Sequence, residues 1–149
     1  MADYIADAAN ARRPSVTVTG FGQSTVNHGV YTVMTALAAA DTVALCKLPA
    51  GHVPIDFILD TDDLDTNGTP TVTLEVGIIG GADSGALIAT STVGQAGGVA
   101  RLDVAAGRRL APSDEDRIIG LTVGTGAATG ATGVVIAGTL ISRPVGLDD

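Results

Sequence analysis

Strict alternation of apolar and other side chains is the feature of this sequence that most restricts its fold. The clearest run spans residues 71–79, and shorter runs occur at 53–60, 100–104 and 118–123. Because successive side chains of a β-strand point to opposite faces, this period of two indicates half-buried strands. The residues predicted to face inward are Val53, Ile55, Phe57, Leu59, Val72, Leu74, Val76, Ile78, Ala100, Leu102, Val104, Ile119, Leu121 and Val123.

Four further segments are weaker strand candidates, because small or apolar residues occupy both of their faces. They are residues 15–19, 30–36, 42–48 and 134–142. Together with the alternating runs they make about eight strands, at the short spacing that is typical of sandwiches and barrels. Turn-forming residues separate the candidates, as at Asn67-Gly68 and in the glycine-rich residues 124–133.

The predicted fold is therefore all-β: one antiparallel β-sandwich domain, resembling a jelly roll, with about eight strands. We assign residues 29–149 to the sandwich. Residues 1–28 are more polar and show one brief alternation, so they form either an N-terminal arm that reaches a neighbouring subunit or a frayed terminus. Helical turns are expected only within residues 3–11 and in the alanine-rich residues 36–40.

Composition and charge exclude several classes of function. The 149 residues carry a formal net charge of -8, which disfavours contact with nucleic-acid phosphates, and only 3% of them are aromatic. Residues 118–142 are uncharged, but glycine and threonine interrupt them where a membrane span needs continuous apolar side chains. We see no secretory signal, so we expect synthesis in the cytoplasm. The single cysteine, Cys46, excludes an intramolecular disulfide.

The segment from Asp60 to Gly68 holds the densest cluster of oxygen ligands. Asp63, Asp65 and Asn67 precede Gly68 as in the first half of an EF-hand calcium loop. The bidentate acid that such a loop needs at its twelfth position is replaced by Leu74. We therefore keep two interpretations, a calcium site at these three residues and an acidic loop closed by Asx-type turns, and we favour the second.

No arrangement typical of an enzyme is visible. His28 and His52 are the only histidines, and neither has a second metal ligand at suitable spacing. Cys46 lies inside a strand pattern, and no serine lies in a Gly-x-Ser-x-Gly motif. We expect no catalytic residues and no cofactor other than the calcium considered above.

Several turns and strands resemble those of small virion proteins of tailed bacteriophages. The resemblance covers residues 30–142 and rests on strand and turn motifs. The motifs are Leu48-Pro49-Ala50-Gly51, the acidic segment 63–71 leading into Leu74-Glu75-Val76-Gly77, Ile119-Gly120-Leu121-Thr122-Val123, and Ala127-Ala128-Thr129-Gly130.

The resemblance implies a capsid decoration (cement) protein, which binds the outside of an assembled phage head and braces the shell. The implied partners are the major capsid protein and further copies of this chain, with a trimer favoured, and the implied location is the outer surface of the virion. The alternative is a receptor- or glycan-binding module of a head fibre or tail, stabilised by calcium at Asp63, Asp65 and Asn67. An enzyme on a similar sandwich would need a histidine-rich metal site, which two isolated histidines do not supply.

Overall fold

The computed structural model describes residues 1–5 and 24–145. Within them the chain forms nine β-strands, and its only helical segments are two 3₁₀ turns, Val93–Gln95 and Ala105–Arg109. The strands are β1 (Asp3–Ile5), β2 (Thr25–Thr32), β3 (Thr42–Leu48), β4 (His52–Thr61), β5 (Thr73–Ile78), β6 (Ile88–Ser91), β7 (Gly98–Arg101), β8 (Arg117–Thr125) and β9 (Val135–Pro144).

Two sheets stack to form a sandwich. One has the strand order β2-β9-β4-β7 and the other the order β1-β3-β8-β5-β6. Strands β2 to β9 are therefore arranged as a jelly roll, in which two four-stranded antiparallel sheets stack on each other. This confirms the predicted all-β sandwich of the jelly-roll type. Strand β1 is an addition to that plan, because it pairs in parallel with β3 at the sheet edge.

The core lies between the two sheets. Nine of the fourteen side chains predicted to face inward are buried in it, whereas five are only half-buried: Ile55, Ile78, Ala100, Leu102 and Val104. Phe57 and Leu59 of β4 are fully buried, as are Leu74 and Val76 of β5 and Leu121 of β8. Aliphatic residues fill most of the remaining volume, and Phe57 is the only aromatic residue among the buried hydrophobic side chains of the described chain. Burial of this continuous apolar layer is the main favourable contribution to folding.

The alanine-rich residues 36–40 do not form the predicted helical turn. Asp41 follows this segment, and its carboxylate accepts the backbone N–H of Ala38 at 2.9 Å. Ala40 has a positive φ of 69°, and its N–H donates to Val123 O at 2.8 Å. Tertiary hydrogen bonds therefore outweigh the intrinsic helical preference of alanine, which is worth a few tenths of a kcal/mol per residue.

At the N-terminus, the expected helix within residues 3–11 begins instead as strand β1, and the rest of it lies outside the described residues. The strand predicted at residues 15–19 also lies outside them. Strand β2 begins at Thr25, four positions before the predicted start of the sandwich at residue 29. The described part of the chain contains no helix long and apolar enough to cross a membrane.

Candidate functional site

The two ends of the sandwich differ in charge. Strand β4 runs from His52 at one end to Thr61 at the other, a span of about 30 Å at the usual rise per residue. The connections at the Thr61 end are residues 33–41, 62–72, 92–97 and 126–134. They contain aspartates and no Lys, Arg or His, so we call this the acidic end. The His52 end carries charges of both signs: Arg108, Arg109, Arg117 and Arg143, together with Asp114, Glu115 and Asp116 of the connection that leads into β8.

Asp65 fixes the loops of the acidic end. Its side chain is buried, and its Oδ2 accepts backbone N–H groups from Thr71 at 2.7 Å and Ala128 at 2.9 Å. Oδ1 accepts the N–H of Thr129 at 2.8 Å. Val72 also donates to Oδ2, at 3.2 Å. One carboxylate therefore ties the acidic loop 62–72 to the glycine-rich loop 126–134.

These hydrogen bonds determine the protonation of Asp65. Burial alone raises the pKa of a carboxyl group, because it disfavours the charged form. The backbone N–H groups of Thr129, Thr71, Ala128 and Val72 stabilise that charged form and outweigh the burial. The pKa of Asp65 is consequently held well below its usual value, and the side chain is a carboxylate at neutral pH.

The three candidate calcium ligands lie in one loop but are used as turn formers. Asp63 Oδ1 accepts the N–H of Asp65 at 2.9 Å, and Asn67 Oδ1 accepts the N–H of Thr69 at 2.9 Å. These are the Asx-type turns of the favoured interpretation. The described residues include no group of three or more His, Cys, Asp or Glu side chains that could hold a metal ion. The calcium site itself stays a prediction.

The histidines and the cysteine are dispersed over the described structure. His28 lies on the outer face of β2, where Nδ1 is 2.7 Å from Thr139 Oγ1. His52 is buried beside Ser142 of β9, and burial lowers its pKa. Cys46 is buried between the sheets, with Sγ 3.3 Å from Gly138 O, and burial raises its pKa to about 12. None of these groups is placed for nucleophilic chemistry.

An apolar patch lies on the outer face of the sheet β2-β9-β4-β7, and exposed Asp60 and the Asp56–Arg101 ion pair border it along β4 and β7. Four valines on it are exposed by 37% to 63% of their area, and we call them the valine face: Val26, Val30, Val99 and Val135. Half-buried Ile58 and Ile141 lie between them in the strand register. Interface centres are depleted in charged residues, and clustered exposed apolar side chains mark surfaces that other molecules cover. This face is the strongest candidate contact surface of the described chain.

The sequence pattern did not identify this surface. It assigned Val26 to the N-terminal arm and treated both faces of the following strand as equivalent. The available signal is the shared parity of Val26, His28 and Val30, which places all three on one side of β2. A strand whose apolar side chains face outward gives the same alternation as one that faces them inward, so periodicity could not identify the surface.

Comparison with known proteins gives matches among solved structures. A chain of the structure "Capsid of Ralstonia phage GP4" superposes with a TM-score of 0.88 and 38% sequence identity, over 97% of this chain and 99% of that chain. The chain belongs to a family of bacteriophage capsid proteins. A chain of "Cyanophage Pam1 capsid asymmetric unit" is 30% identical, with a TM-score of 0.69, over 93% of this capsid protein and 99% of its own length.

A third chain shares only the fold. It comes from "Acidic stable capsid structure of Helicobacter pylori bacteriophage KHP30" and is 10% identical, with a TM-score of 0.58 over 83% of this capsid protein. No protein-family model and no curated protein sequence matches. The similarity to the first two chains extends over nearly the whole length of both partners, so it supports a structural role in the virion for the capsid protein.

Proposed function

We infer that this capsid protein is a decoration protein, which binds the outer surface of the assembled phage head and stabilises its shell. The observation that carries this proposal is the 38% identity, over 97% of the chain, to a chain of the Ralstonia phage GP4 capsid. That chain is matched over 99% of its length, so the relative is itself a small, single-sandwich protein. A protein of this size is suited to binding onto a shell that a larger protein builds.

Charge supports a position outside the shell. The net charge of -8 would repel the phosphates of packaged DNA if the protein lined the inner wall. An outer position removes that repulsion, because the shell separates the protein from the genome. Synthesis in the host cytoplasm, followed by binding to completed heads, agrees with this placement.

The proposed activity is binding and needs no catalytic residue. A protein that binds the assembled lattice and not its dissociated subunits stabilises the lattice by mass action, in proportion to its affinity and occupancy. The valine face supplies apolar area for such binding, with the major capsid protein as the proposed partner. Assembly into a homo-oligomer, with a trimer favoured, would present several such faces at once and raise the avidity.

The direct test compares heads with and without this protein during heating. We expect undecorated heads to release DNA at a lower temperature, and purified protein added back to restore the original value. Equal release temperatures at full occupancy would contradict a stabilising role. Failure of the protein to bind heads at all would contradict decoration itself.

A pair of variants tests the valine face. Val26→Lys places a charge on an exposed position of that face, whereas Thr90→Lys places the same charge on an exposed position of β6, in the other sheet. Burying an unpaired charge in an interface costs several kcal/mol, so we expect head binding to weaken by at least about ten-fold for Val26→Lys only. Equal affinity of both variants would exclude this face as the contact surface.

A further inference from the structure

A cationic concavity lies beside the His52 end of the sandwich. Three arginines line it, Arg108, Arg109 and Arg143, and the apolar residues Val53, Leu110 and Val145 contribute to its walls. It opens to solvent, and no acidic residue is among its lining residues. All three arginines are exposed. Three of the eight Lys and Arg residues of the chain therefore line one concavity, and Asp103 lines the adjoining one together with Arg108 and Arg109.

The arginines are available for a partner. Neither Arg109 nor Arg143 makes an ion pair with another described residue, in contrast to Arg101, which pairs with Asp56 on the sheet face. Arg108 is held in place by its Nε, which donates to Ile55 O at 3.0 Å, and this leaves its other N–H groups free to donate. Guanidinium groups bind carboxylates through paired hydrogen bonds, so the concavity is suited to a carboxylate-bearing surface.

A complementary surface is present on the same molecule. At the acidic end, Asp60 and Asp62 are exposed and Asp63 is half-buried, and we call these three residues the acidic rim. The connections at that end carry no basic residue, and Arg101, which lies diagonally beside Asp60 on the sheet face, is paired with Asp56. The rim begins at Asp60 and the concavity reaches Val53 of the same strand, about 23 Å away at the usual rise per residue, which is too far for the charged groups of one copy to pair directly.

We propose that the concavity of one copy binds the acidic rim of a second copy, so that subunits associate head to tail. A second copy is favoured as the occupant because the chain itself supplies both halves of the charge complementarity. Contacts between different surfaces of identical subunits close into a ring when the rotation between subunits allows it. The inference therefore rests on the proposed homo-oligomer and specifies its contact.

The first experiment measures the association of the purified full-length protein by analytical ultracentrifugation. Salt of about 1 M reduces the Debye length to about 3 Å and screens exposed charge pairs. We expect an oligomer at low salt that dissociates at high salt. A protein that is monomeric at all concentrations, or an oligomer that is insensitive to salt, would overturn the proposal.

Charge reversal then tests the two surfaces. Arg109→Glu and Asp60→Lys each bring like charges together across the proposed contact, so each should raise the dissociation constant by at least about ten-fold. The double variant Arg109→Glu/Asp60→Lys restores opposite charges and should recover most of the association. Asp83→Lys is a control on an exposed position outside both surfaces, and we expect it to associate as the wild type does.

Circular dichroism melts of every variant separate loss of folding from loss of association. If the loss of affinity in the double variant equals the sum of the losses in the two single variants, the two surfaces do not contact each other and the proposal is overturned. A monomeric wild type whose Arg109→Glu variant no longer binds heads would also overturn it, because the concavity would then bind another capsid polypeptide. In that last case decoration of the head would still stand.

Discussion

Asp65 Oδ2 accepts the backbone N–H of Ala128 at 2.9 Å, across 63 positions of sequence. Because the same carboxylate also accepts N–H groups of its own loop, the acidic loop and the glycine-rich loop form one unit at the acidic end. Asp62 and Asp63 of the rim proposed to bind a second copy belong to this unit. Its shape therefore depends on a buried charge that makes no contact with the partner.

Replacement of Asp65 by asparagine should destabilise the protein and alter its response to acid. The folded-state pKa of Asp65 is lower than the unfolded one, so its carboxylate stabilises the fold above the ordinary carboxyl pKa and loses this effect as the pH falls below about 4. We expect Asp65→Asn to melt several degrees lower at neutral pH and to lose less stability than the wild type on acidification. Thermal melts over a pH series measure both effects.

Asp83→Asn is the matched control for that experiment. Asp83 is exposed, and its side chain accepts no hydrogen bond from another described residue. Its replacement should leave the melting temperature and its pH dependence close to those of the wild type. An Asp65→Asn protein that behaves like this control would show that the buried carboxylate contributes nothing to the fold.

Calcium should leave the melting temperature unchanged. A cation at Asp63, Asp65 and Asn67 would have to displace the backbone N–H groups that Asp65 already binds, and the Oδ1 atoms of Asp63 and Asn67 are committed to the turns. We expect identical melts in millimolar calcium and in chelator, and no heat in isothermal titration. A stabilisation that Asp63→Asn abolishes would instead establish the calcium site.

Substitution of Gly138 should disturb the core. A Cβ at this position would lie 2.7 Å from Phe57 Cζ and 3.0 Å from Leu45 Cβ, closer than packed carbon atoms approach. Overpacking of this kind costs about 1–3 kcal/mol, so chemical denaturation of Gly138→Ala should report a loss in that range. Gly68→Ala is the control, because a Cβ there meets nothing within 4 Å. Equal stability of the two variants would contradict the packing described for β9.

The thiol of Cys46 should be unreactive in the folded protein. Burial raises its pKa to about 12, and the thiolate is the reactive species. We expect no labelling by a thiol reagent at pH 8 in buffer and one labelled thiol per chain in denaturant. Rapid labelling in buffer, at a rate independent of denaturant, would show that the strands around Cys46 open readily.

Alternation predicted the strands whose inner faces meet the core, and it did so for a physical reason. Burial alternates over residues 57–59 of β4, 74–76 of β5 and 121–123 of β8, so Phe57, Leu74 and Leu121 were identifiable as core positions, whereas a β-bulge after Pro54 leaves Ile55 only half-buried. Strand β6 was not identifiable, because only Ile88 of its four residues is buried. The parallel pairing of β1 gives no local signal, since it depends on backbone groups of β3.

The surfaces were harder to predict than the core. The sequence indicated an acidic loop with Asx-type turns, but the donors to Asp65 include Ala128 and Thr129, whose proximity depends on the complete fold. Likewise, Arg143 lines the same concavity as Arg108 and Arg109 only because β9 ends beside the second 3₁₀ turn. Single-sequence periodicity groups the side chains that share one face of a strand, and it specifies neither which face is buried nor which ends of strands meet.

The position of β9 has a consequence for biosynthesis. This strand lies between β2 and β4, yet it is the last strand of the described chain to leave the ribosome. Until β9 is made, β2 and β4 each have an unpaired edge. Pairing Thr25 with Ser142 closes a loop that contains most of the chain. Folding should therefore be post-translational and slow, with exposed edges prone to aggregation before closure. We therefore expect chaperones to assist folding during expression, because the strand that joins β2 to β4 is made last.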